Sequence, residues 1–402
     1  MALPSIKLQT LATGTGGFVL YGRDANDAFG GSVASAGDIN GDGFDDLIFG
    51  AIRGDTGGNT RFDAGEVYVV FGKANGFGAG VDLGAIAAGT GGFALWGRDA
   101  FDWAGVSVAS AGDVNGDGLA DIIIGARDAD GPTNTLGSAG EAYVVFGKTT
   151  GFGATVDLAT IAAGTGGFVL HGIDAGDVLG GRVASAGDIN GDGFDDFIIG
   201  APLADAAGNA KADAGESYVV FGKAGGFGAE LSLASVAAGT GGFVIRGGQS
   251  GDQSGGAVAS AGDINGDGFD DLIIAADRAN DPASGAVDVG VTTVIFGKAG
   301  GFGASIDLAN FGGGFDGFSI VGRSANSGSG SAVASAGDVN GDGFADLIIG
   351  APVANESYVV FGKAHGFGAR INLAAVAAGH GRFHPARHRQ LRSGGGLRRL
   401  GG

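Results

Sequence analysis

The sequence predicts an all-β fold: a β-propeller of four-stranded antiparallel blades, built from five repeats. Three observations lead there. A segment of 75 residues recurs with almost no insertion, each copy holds four short β-type runs, and the 402-residue chain carries 89 Gly but only 6 Pro. That glycine usage demands frequent turns, and the low proline content excludes collagen and proline-rich linkers. The string ASAGDINGDGFDDLIFGA, from Ala34, returns in close variants from Ala109, Ala184, Ala259 and Ala334. Repetition of this kind is the signature of a stacked or circular array of like units.

The elements follow in order. Residues 32–36 form a first strand that enters an acidic turn, and the apolar run 47–49 (122–124 in the next unit) leaves it as a buried second strand. After a loop rich in Gly and Asp, the β-branched and aromatic run 67–71 makes the third strand, repeated at 143–146 and 218–221. A Gly-Phe-Gly-Ala spacer then leads to the fourth strand, 92–96, repeated at 168–171, 243–246 and 318–321. The repeat cores lie near 29–72, 104–147, 179–222, 254–297 and 329–362, within one domain covering 1–379. Residues 18–21 are a fourth-type strand that precedes every first-type strand, so one consistent closure has them complete the last blade. Five units leave open whether the ring closes at five or belongs to a larger propeller. The loop between the second and third strands is about ten residues shorter in the fifth unit than in the others. Such loops carry recognition on rigid scaffolds, or serve as solvated connections.

Composition narrows the function. A content of 44% hydrophobic residues suffices for a sizeable core. The formal charge of −20 excludes nucleic acid and polybasic membrane contact as partners and suits cations. The absence of cysteine rules out disulfides, zinc–thiolate sites and a thiol nucleophile. Residues 1–17 lack the basic start and apolar run of a secretory leader, and no apolar stretch reaches the length of a membrane span. With 5 His and no recurring nucleophile–base–acid set, the chain is not expected to be an enzyme.

The acidic turns carry the clearest chemistry. In the stretch from Asp38 to Asp46, oxygen-bearing side chains stand at positions one, three, five and nine, and Gly43 permits a sharp bend. Calcium takes six to eight hard oxygen ligands in a forgiving geometry, and a carbonyl at position seven would add one. The lack of nitrogen and sulfur donors disfavours transition metals. An EF-hand needs a bidentate Glu at position twelve, where Phe49 stands, so that reading fails. A single such turn could be an Asx-rich turn without metal; five intact copies argue otherwise.

With its flanks, Phe29-Gly30 before and Gly200-Ala201-Pro202 after, the turn resembles the FG-GAP repeat of the integrin α-chain head, in the calcium-binding form found in bacteria. The resemblance covers residues 17–376. It implies a propeller with about one Ca2+ per repeat, held in the hairpin turns. The implied ligands are Asp38, Asn40, Asp42, the Phe44 carbonyl and Asp46 in the first unit, and Asp113, Asn115, Asp117, Leu119 and Asp121 in the second. Then come Asp188, Asn190, Asp192, Phe194 and Asp196; Asp263, Asn265, Asp267, Phe269 and Asp271; and Asp338, Asn340, Asp342, Phe344 and Asp346. The chain departs from the pattern where Ala104, Leu179, Ser254 and Ser329 replace the Phe before glycine, and where Ala275 replaces the closing glycine.

The function implied is an extracellular or cell-surface adhesion or ligand-binding module, whose partner is a protein or a glycan. The alternatives are a lectin-like propeller or an accessory domain of a secreted hydrolase. Trp96 and Trp103 could stack on a sugar, although Tyr21 and His171 at the place of Trp96 point to strand packing. Arg53-Gly54-Asp55 is the tripeptide integrins recognise, in a chain whose abundant Gly and Asp make a chance occurrence the better account. From 380 to 402 the chain turns basic, with six Arg, three His and no acid. Shifting the frame of GC-rich codons for 396–402 yields Val-Ser-Val-Ala-Ser-Ala-Gly, the opening of another repeat. The tail is therefore expected to be frameshifted and disordered, and a C-terminal export signal lost with it.

Overall fold

In the computed structural model, residues 8–14, 16–56, 60–281, 283–311 and 316–378 are described. The first unit is an antiparallel meander of Phe29–Gly37, Asp46–Ala51, Glu66–Val70 and Gly92–Trp96. The second repeats it with Ser107–Gly112, Asp121–Ala126, Glu141–Val145 and Gly167–His171, and the third and fourth follow the same order. Second and third strands in these units are buried on both sides, apart from the half-buried Leu47 and Phe49 at the open face of the first unit, which is why they read as unbroken apolar runs. Each inner sheet is sandwiched between its neighbours. Ile48, Val69, Phe93 and Leu95 of the first unit meet Ile122, Ile124, Tyr143 and Val145 of the second in one core. The same contact recurs between later units, ending with Ile273, Val294, Phe318 and Ile320 against Leu347, Ile349, Tyr358 and Val360.

The spacer holds structure that the sequence reading did not assign. A short strand in it runs parallel to the preceding unit's outer strand, as Thr155–Asp157 does beside residues 94–96, so each of the first four sheets has five strands rather than four. A one-turn helix follows, Leu83–Ala87 in the first case, with Asp82 accepting from the Gly84 N–H at its start. Asp157, Ser232 and Asn372 cap its counterparts, supplying acceptors to amides that lack helical partners. The spacer phenylalanine stacks on the fourth-strand phenylalanine of the unit before, Phe152 on Phe93 at 4.2 Å and Phe367 on Phe318 at 4.5 Å.

The ends differ from the expected closure. Val19–Tyr21 pairs in parallel with Gly80–Asp82, and the fifth unit's sheet consists of Ala332–Gly337, Asp346–Ala351 and Glu356–Val360. The N-terminal strand thus takes the partner that every other fourth strand takes, the next unit's spacer, and does not complete the last sheet. Both outer faces are consequently open. Val339, Ile348 and Val359 are 56%, 41% and 39% exposed, whereas their fourth-unit counterparts Ile264, Ile273 and Val294 are at 0%. At the other end Val33 is 61% exposed against 6% for Val108. The tail 380–402 lies outside the described residues.

Candidate metal site

Each acidic turn joins the first two strands of its unit, and its backbone is shaped by its own carboxylates. The Asp38 carboxylate accepts from Gly41, Asp42 and Gly43 N–H groups at 2.8–3.1 Å. Asn40 accepts from the Asp42 N–H at 2.8 Å, and Asp42 from the Phe44 N–H at 3.0 Å. Asp113, Asp188, Asp263 and Asp338 repeat the first pattern. Position nine is different in kind. Asp46 is fully buried, with Oδ2 accepting from the Ile39 N–H at 3.2 Å and Oδ1 from the Gly72 N–H at 2.8 Å. It ties the turn to the third strand's exit, as Asp121, Asp196, Asp271 and Asp346 do in their units.

Burial dominates the electrostatics of these carboxyls. It pushes Asp46 up to about 6, Asp121 to about 7, and Asp196 and Asp271 to about 8, against the opposing pull of their amide donors. The acids at positions one and five push in the same direction as burial. Among the described residues no Lys or Arg pairs with a turn carboxylate. No group of three or more His, Cys, Asp or Glu among them is drawn together closely enough to hold a metal. The donor set nonetheless suits a hard cation: it is all oxygen, it is acidic, and a carboxylate oxygen that accepts one N–H keeps a further lone pair.

Adjacent turns are stitched together. The Asp38 carbonyl accepts from Ala120 N–H at 3.2 Å, Asp113 from Asp195 at 3.2 Å and Asp263 from Ala345 at 3.1 Å. The position-seven side chain lies over the preceding turn's position-four glycine. A Cβ on Gly116, at φ +75°, would run into the Phe194 ring. The turns therefore line one end of the array side by side.

Residues 29–70, 104–145, 180–220, 254–290 and 329–367 match the FG-GAP repeat. The chain belongs to the FG-GAP repeat family. Among curated relatives, Drosophila melanogaster integrin alpha-PS2 is 32% identical over 114 residues, covering 27% of this chain and 7% of the relative. Mus musculus integrin alpha-E is 34% identical over 108 residues (26% and 8%), and Drosophila integrin alpha-PS5 is 31% identical over 195 residues (48% and 16%). The chain thus spans at most about a sixth of the length of these integrin chains.

Two further features of the FG-GAP units bear on function. Gly72 and its equivalents, whose N–H groups hold the position-nine carboxylates, were missed as site residues; the signal was the recurring Phe-Gly-Lys at 71–73. The aromatic and tripeptide candidates are engaged within the fold. Trp103 is approached by the guanidiniums of Arg53 at 5.9 Å and Arg127 at 5.1 Å, Gly54 is buried, and Asp55 accepts from the Asp63 N–H at 2.9 Å. No helix among the described residues is long and apolar enough to cross a membrane.

Proposed function

We propose that the chain is a non-catalytic binding module of the extracellular space or cell surface, a calcium-stabilised β-propeller that presents loops to a protein or glycan ligand. One observation carries the calcium: in every unit a fully buried position-nine carboxylate sits in an acidic turn with which, among the described residues, no Lys or Arg pairs. Calcium would be held by the acids and amides at positions one, three, five and nine with the carbonyl at seven, about one ion per unit. It would supply the countercharge and so couple ion binding to folding. The adhesive role rests on the similarity to integrin alpha chains. Calcium titration by calorimetry, with melting in calcium and in EDTA, tests the reading. Saturable binding near five ions per chain with a lower midpoint in EDTA is expected; no heat and an unchanged midpoint reject it.

A further inference from the structure

At the end away from the acidic turns, the third strand of four of the five units opens with a Glu, buried in the first two and half-buried in the others, and, two residues on, a Tyr. Glu66 accepts from the Tyr68 hydroxyl, Glu141 from Tyr143, Glu216 from Tyr218 and Glu356 from Tyr358. Every Glu also takes a basic partner: Arg23, Arg98 with His171, Arg246 and Arg323 respectively. In the fourth unit the whole set is replaced. Val291 stands for Glu, Thr293 for Tyr, and Gly248 and Val321 occupy the places of Arg98 and His171. The register is unchanged, since Thr293 faces Ile274 as Tyr218 faces Ile199.

A cavity of about 340 Å³ lies where the set is packed elsewhere, within the size range of small-molecule sites. Its walls include Ile274, Val321, Leu308 and Phe311, and its polar side includes Asp252 and Ser254, which are 6% and 1% exposed. Asp252 Oδ2 accepts from the Gln249 N–H at 2.8 Å, and the Asn280 backbone N–H also favours the carboxylate, while among the described residues no hydrogen-bond partner reaches Asp252 Oδ1 or Ser254 Oγ. The second-unit counterpart, Asp102, has the Arg98 guanidinium nearby to offset its charge; with Gly248 in that place, Asp252 keeps the field of Lys211, which forms its ion pair with Asp307 instead. The nearby cations are committed, Lys211 to Asp307 at 3.2 Å and Arg370 to Asp281 at 2.6 Å. A buried carboxylate with an unpaired oxygen is costly and calls for a charged donor.

We propose that this cavity binds a small organic cation with a ring-bearing apolar body, its ammonium on Asp252 and its ring against Leu308, Phe311 and Val321. The ligand supplies the ring volume that the fourth unit lacks and a cation in direct contact with Asp252, which Lys211, paired with Asp307, does not provide.

Calorimetry on the full chain tests it, with tyramine as probe and 4-ethylphenol as its neutral match. Tyramine is expected to bind one per chain, about ten- to a hundredfold more tightly than 4-ethylphenol and by the same factor more tightly than it binds Asp252→Asn, as loss of a charge-assisted hydrogen bond dictates. Thr293→Tyr, which refills the cavity, is expected to abolish binding while keeping or raising the melting midpoint. No saturable binding up to about 10 mM, weaker than any useful affinity, overturns the proposal. So does equal affinity for the two probes, or an unchanged affinity in Asp252→Asn.

Discussion

Replacing Asp196 by Asn separates the two tasks of a position-nine carboxyl. Its oxygens accept from the Gly222 N–H at 2.9 Å and the Ile189 N–H at 3.2 Å. The amide keeps one acceptor and turns its NH2 against the other donor, so in EDTA the variant is expected to lose about 1–3 kcal/mol. Charge contributes little to that loss, because burial, with Asp192 and Asp188 nearby, holds the wild-type carboxyl up near 8 and so mostly protonated at pH 7. Calcium changes the comparison. A site held at a hundred times its Kd adds about 2.7 kcal/mol of stability, and the variant forfeits this in one unit. Denaturant unfolding of both proteins, with calcium and with EDTA, reads the difference: the calcium-dependent gain should fall by about 2.7 kcal/mol in Asp196→Asn. An undiminished gain in the variant, or no gain in the wild type, refutes the reasoning.

Further expectations concern pH, packing and backbone. Burial pushes Asp102 up to about 7, with Glu141 and Asp99 adding to the rise. A carboxyl that holds its proton more tightly when folded gives stability that is fully present below its ordinary range and is lost as pH rises through the folded value. Stability should therefore decline between about pH 4 and 7 by up to about 4 kcal/mol, and Asp102→Asn should flatten that slope in denaturant titrations. Ile273→Ala, in a closed interface, should cost about 2–5 kcal/mol, whereas Ile348→Ala, on the open face, should cost less than about 1 kcal/mol; similar losses in urea melts would mean that face is covered. A Cβ on Gly147 would lie 2.5 Å from the Ala120 carbonyl oxygen. Gly147→Ala should push its N–H away from Asp121, costing about 1–3 kcal/mol in a thermal melt and weakening the calcium response.

The repeat, its main strands and the acidic turns were legible because each rests on local pattern: a constant step, apolar runs such as 122–124, and acids on alternate positions. What stayed hidden depends on distant partners. Val156 joins a sheet only because Leu95 lies beside it, and nothing around Val156 announces that pairing. The helix Leu83–Ala87 is too short for periodicity to register. The closure through 18–21 was a matter of strand counting, and counting does not reveal that Val81 is the neighbour of Leu20. In the turns, positions one to nine were readable as acids, but their division of labour was not. Asp38 organises its own loop, while Asp46 reaches across to Gly72, 26 residues away. The fourth-unit cavity is visible only by difference, where Val-Thr-Thr replaces Glu-x-Tyr at a place that the fold elsewhere fills.

The parallel spacer strand has a bearing on how such an array comes apart. Because the first four sheets borrow their fifth strand, and a stacked phenylalanine with it, from the unit after, a 75-residue segment excised by itself lacks a piece of its own sheet. The cooperative element is an overlapping pair, as in roof tiles, where lifting one loosens the tile beneath. Unfolding should start at an exposed end and advance by neighbours, in the manner of a one-dimensional zipper. A shortened gene cut after a spacer, rather than between the outer strand and the spacer that covers it, keeps every borrowed strand with its recipient.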